Sequence, residues 1–75
     1  MNQRLREIIN EVLADTGREP VPTITRGMLL RKDLGLDSLE LAVLTVKLEA
    51  EFGVDVFADG LVSSVGQVED KLRSE

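Results

Sequence analysis

Seventy-five residues allow one small domain with a modest core, and 43% apolar against 31% charged residues is the balance of a globular protein. Fourteen Asp plus Glu against nine Lys plus Arg give a formal net charge of −5, which disfavours nucleic-acid backbones and suits basic protein partners. The absence of Cys and His removes disulfides, thiolate nucleophiles, the common zinc sites and an imidazole base.

Leu5, Ile8, Ile9, Val12 and Leu13 fall at i, i+3, i+4, i+7 and i+8, one apolar stripe of a helix over about residues 2 to 15 that Gly17 can end. Residues 1–7 are polar and then amphipathic, without the apolar core of a signal peptide. No apolar run approaches the roughly 20 residues that span a bilayer, so a cytoplasmic monomer without membrane contact is expected. Residues 16–36 form a long connection in which Pro20 and Pro22 resist helix while Gly27 and Gly35 permit turns. Ile24, Met28, Leu29, Leu30, Leu34 and Leu36 supply apolar surface, so an ordered loop crossing the helices is expected, with a helical turn near 25–30.

Asp37 is a good N-cap and Glu40 stands where a capping box needs it, starting a second helix that reaches about Glu51 and closes at Phe52-Gly53. Residues 54–62 are a weaker segment with Phe57, Leu61 and Val62 as expected buried anchors, and Gly60 argues against a long helix there. Ser64 and Gln67 spell another capping box, followed by the apolar stripe Val65, Val68 and Leu72 of a last short helix. Residues 1–75 are thus expected to form a single all-α domain, a small helical bundle of three clear helices plus a short one, with a long loop between the first two helices.

The second helix is apolar on two sides. At about 100° per residue, Leu41, Leu44, Leu48 and Phe52 cluster on one face and Leu39, Val43, Val46 and Ala50 on roughly the other, with charged residues on the flanks. Either the long loop covers the second face, or Leu39, Val43 and Val46 form an exposed apolar strip with an acidic rim, the character of a docking surface.

Ser38 follows the N-cap, where the helix dipole and unpaired amides favour negative charge, so a phosphate ester there would be accommodated. Asp-Ser-Leu-Glu is also an ordinary helix start, and that reading needs no function at all. With no His to act as base, Ser38 is poorly suited to nucleophilic catalysis and better suited to being modified. A self-contained enzyme is disfavoured further by the small size of the bundle, and no stretch follows the spaced oxygen ligands of a calcium loop.

Residues Asp33-Leu34-Gly35-Leu36-Asp37-Ser38-Leu39-Glu40 resemble the phosphopantetheine attachment motif of acyl and peptidyl carrier proteins. The likeness continues through Leu44, Leu48, Glu49, Glu51, Phe52 and Gly53, and again at Ser64-Val65-Gly66, so it covers nearly the whole chain. What the resemblance implies is a four-helix bundle with a short third helix. It also implies that a phosphopantetheinyl transferase attaches 4′-phosphopantetheine from coenzyme A to Ser38, beside Asp37. The arm would carry acyl, aminoacyl or peptidyl groups as thioesters, in a protein that is a carrier and not an enzyme. Partners would be a loading enzyme (an adenylation enzyme or acyltransferase) and ketosynthase or condensation-type enzymes. Carried over residue by residue, Asp37, Leu39, Glu40, Val43 and Val46 would meet partners, and an acyl chain could enter near Leu44, Leu48 and Leu61. The short 54–62 segment, Gly60, and Lys47 on the second helix depart from fatty-acid carriers and resemble a stand-alone carrier of a specialised pathway. The competing expectation is an unmodified helical adaptor that binds partners through the second apolar face.

Overall fold

Asn2 opens the first helix: its side-chain oxygen accepts the Leu5 amide at 3.1 Å, satisfying a donor that the first turn cannot. α1 runs Gln3–Asp15 and buries Leu5, Ile8, Ile9, Val12 and Leu13, the stripe that the spacing predicts. The computed structural model describes residues 2–58, 60 and 62–73. Among them are three helices, α1, α2 (Ser38–Phe52) and α3 (Val65–Arg73), and no strand beyond an isolated antiparallel bridge between Leu29 and Ser64. None of these helices is long and apolar enough to cross a membrane.

Two ion-pair sets fix α1 and α2 antiparallel. Arg4 near the start of α1 reaches Glu51 near the end of α2 at 3.0 Å, and Lys47 reaches Asp15, the last residue of α1, at 3.4 Å. Such half-exposed pairs contribute about 0–1 kcal/mol each. The burial of Leu44 and Leu48, both 0% exposed, matters more, since truncating a core leucine costs about 2–5 kcal/mol. Gly53, at φ 72°, supplies the left-handed residue that ends α2.

The 16–36 connection is ordered, as expected, and buries Ile24, Leu30, Leu34 and Leu36 in the core. Its backbone is tied at both ends. The Val21 amide donates to Asn10 Oδ1 at 2.8 Å, and the Leu30 amide donates to Ser63 O at 2.9 Å. The turn expected near 25–30 closes from the Met28 amide to Thr25 O at 3.1 Å, and a further one follows from the Asp33 amide to Leu29 O at 3.0 Å. In return, the amides of Val65 and Gly66 donate to Met28 O and Arg26 O at 3.0 and 2.9 Å, seating the start of α3 on the loop.

The all-α class stands with three described helices; between α2 and α3, where residues 59 and 61 lie outside the described ones, the described residues form turns. Local polar groups take the backbone there: Asp55 Oδ1 accepts the Phe57 amide at 3.0 Å, and turns close from Ala58 N to Asp55 O and from Gly60 N to Phe57 O, both 3.2 Å. Of the anchors expected in this segment, Val62 is buried and Phe57 half-buried, while Leu61 lies outside the described residues. Val54 and Val56 are buried in addition.

α3 begins with the box its spelling predicts: Gln67 N–H donates to Ser64 Oγ at 3.2 Å, and Gln67 Oε1 accepts the Ser64 amide at 3.1 Å. Glu69 on this helix is 4% exposed, accepting the Asn2 amide at 2.6 Å and a guanidinium N–H of Arg26. It pins α3 to the start of α1 and to the loop.

Candidate functional site

The chain reaches α2 through a turn at Gly35, whose φ of 71° suits a residue without a Cβ, between the buried side chains of Leu34 and Leu36. Asp37 then caps the helix. Its Oδ1 accepts the Glu40 amide at 2.8 Å, and Glu40 Oε1 accepts the Asp37 amide at 2.9 Å, a complete capping box. Because Asp37 does the capping, the Ser38 hydroxyl has no structural task. Ser38 is exposed, the first residue of α2, and its side chain makes no hydrogen bond among the described residues. The amides of Ser38 and Leu39 sit in the first turn, where no intrahelical acceptor exists.

Glu40 is a correction to the expected docking face. It is 1% exposed, and its Oε2 accepts Thr16 Oγ1–H at 2.5 Å and the Arg18 Nε–H at 3.0 Å. Both carboxylate oxygens are therefore spent inside the protein, holding the start of α2 to the end of α1. Thr16 and Arg18 are site-supporting residues that sequence reading missed.

The apolar strip is narrower than the helical spacing predicts. Leu39 and Val46 are 67% and 65% exposed, whereas Val43 is half-buried and packs against the core. Lys47, which interrupts the acidic character of α2, turns toward Asp15 and Glu11 of α1 at 3.4 and 3.7 Å.

Leu44 and Leu48, expected to line an acyl pocket, are fully buried and border none of the described hollows. They are core residues. The open hollow at Ser38 is lined instead by Arg31, Leu41, Ala42, Thr45 and Phe57. A second hollow of about 280 Å³ shares Arg31, Leu41 and Phe57 with it and extends to Leu29, Lys32, Val62 and Ser63. A spare hydroxyl, unpaired first-turn amides and an apolar trough alongside make a donor set that fits a phosphodiester-linked arm.

The sequence matches the family described as phosphopantetheine attachment site over residues 3–72. An acyl carrier protein of Saccharopolyspora erythraea is 42% identical over 64 residues, covering 83% of this chain and 67% of that protein. An acyl carrier protein of Zymomonas mobilis subsp. mobilis is 37% identical over 70 residues, covering 93% of this chain and 83% of that protein. No solved structure matches at a significant level.

Proposed function

The chain belongs to the phosphopantetheine attachment-site family, and from that membership we propose that Ser38 is the residue that carries its covalent 4′-phosphopantetheine. As in that family, the protein is a carrier and not an enzyme, a substrate of a phosphopantetheinyl transferase and a partner of pathway enzymes. When bound, the arm supplies a terminal thiol able to hold cargo as a thioester, chemistry that a chain without Cys lacks.

The observation that carries the assignment to Ser38 is the division of labour at the start of α2: Asp37 caps, and the neighbouring hydroxyl stays exposed and unbonded among the described residues. An anion placed on that hydroxyl gains the partial positive charge of the helix start. Leu39 and Val46, exposed on the same helix, are the apolar anchors for partner enzymes, with the Asp37 carboxylate beside them for a basic partner. The cargo we infer is an acyl group, because both relatives are named acyl carrier proteins. An acyltransferase and a ketosynthase suit that cargo better than an adenylation or condensation enzyme.

The chain offers a clean test, because it has no Cys and the arm would bring its sole thiol. After incubation with coenzyme A, magnesium and a broad-specificity transferase, a thiol reagent should label the protein once, on the tryptic peptide that contains Ser38. Absence of labelling, or labelling on another peptide, would remove the proposal.

A further inference from the structure

Among the described residues, Arg4, Arg18, Arg26 and Lys47 each lie within 4.0 Å of at least one carboxylate, while Arg6, Arg31, Lys32 and Arg73 make no such pair. Of these four, Arg31 shares a hollow with Ser38. It is exposed, and among the described residues its guanidinium takes part in no ion pair or hydrogen bond. Yet it lines both hollows beside Ser38, sharing Leu41 and Phe57 between them, so that the two form one trough with an unpaired cation in its wall. In a protein of net charge −5, a free guanidinium kept beside a free hydroxyl is a local reversal of sign. An anionic group on Ser38 would also stand next to Asp37, whose exposed carboxylate repels it, and a cation in the same hollow offsets that repulsion.

Resting on the attachment at Ser38, we propose that Arg31 binds the phosphodiester formed there and lays the arm along the Leu41–Phe57 trough. A guanidinium presents two parallel N–H donors to two phosphate oxygens, a geometry that fixes direction as well as charge. The half-buried Leu41 and Phe57 then give the apolar portion of the arm a wall to pack against. Lys32 borders the second hollow but not the one at Ser38, and adds a point charge without that directionality.

The test compares unloaded and loaded protein by amide NMR and by the ³¹P resonance of the diester, for wild type, Arg31→Gln and, as a charge-matched control, Arg6→Gln on the exposed part of α1. Loading the wild type should move the amides of Leu41, Thr45 and Phe57. Arg31→Gln should remove most of those shifts and displace the ³¹P resonance, while Arg6→Gln leaves both unchanged. Equal loading shifts in wild type and Arg31→Gln would overturn this inference alone, as would an equal loss in Arg6→Gln. So would an Arg31 effect that appears only when the arm carries a carboxylate-bearing acyl group, because the anion would then be the cargo's. A wild type that gains no phosphopantetheine mass would overturn the Ser38 assignment and this inference with it.

Discussion

α2 and α3 each begin at a capping box with a serine in it, and the two serines have opposite fates. At α3 the serine is the cap: Ser64 Oγ accepts the Gln67 amide at 3.2 Å, and the residue is half-buried in the bridge to Leu29. At α2 the cap is Asp37, which leaves Ser38 one position inside the helix, exposed and unbonded among the described residues. The boxes differ in depth as well. Gln67 is exposed, whereas Glu40 is 1% exposed and bonded to Thr16 and Arg18. A serine becomes available for chemistry when a neighbour takes over its structural role and a buried anchor keeps the helix start in place.

That contrast predicts unequal costs. Glu40→Ala strips a buried acceptor from Thr16, Arg18 and the Asp37 amide and should lower stability by about 2 kcal/mol in urea unfolding, a figure moderated because Arg18 remains partly solvated. Gln67→Ala, its exposed counterpart, should cost under about 1 kcal/mol; equal losses would break the comparison. Ser64→Ala should cost about 1 kcal/mol as a lost cap, and Ser38→Ala should stay within about 0.5 kcal/mol.

Acid should act on the α3 side. The Asn2 amide, and then the Arg26 guanidinium, hold Glu69 below the ordinary glutamate value of 4.5, and Arg26 holds Asp70 below the ordinary 3.8. Carboxylates depressed in the folded state stabilise it above their unfolded values, and the gain is lost as pH falls through the lower folded ones. Urea midpoints should therefore drop on acidification below about 4.5, and Glu69→Gln should flatten that drop. The smallest stability effect is expected from Val46→Asp on the exposed face of α2, within about 0.5 kcal/mol, while partner binding weakens. Unfolding by Val46→Asp would show that this face is core.

The three described helices were legible because their signals are local. The Leu5–Leu13 stripe, the Asp37–Glu40 and Ser64–Gln67 boxes and the Gly53 stop each lie within a few residues of one another. Glu40 was misjudged because its partners Thr16 and Arg18 lie across the long loop, and no spacing rule reaches that far. A partial signal existed: a carboxylate in a capping box turns back on the helix start and is less available to a visitor. Val43 is less exposed than the spacing predicts for a related reason: it stacks with Lys47 at i+4, which reaches Asp15 of α1, and its side chain packs against the core. The trough at Ser38 could not be read at all, because Arg31, Leu41 and Phe57 come from three separate segments.

The central claim is that the hydroxyl freed by Asp37 is the one that takes the arm. Wild type, Ser38→Ala and Ser64→Ala should be incubated with coenzyme A, magnesium and a phosphopantetheinyl transferase and their intact masses measured. One phosphopantetheine increment on wild type and on Ser64→Ala, with none on Ser38→Ala, is the result predicted. An increment that survives in Ser38→Ala, or that vanishes in a folded Ser64→Ala, would contradict it.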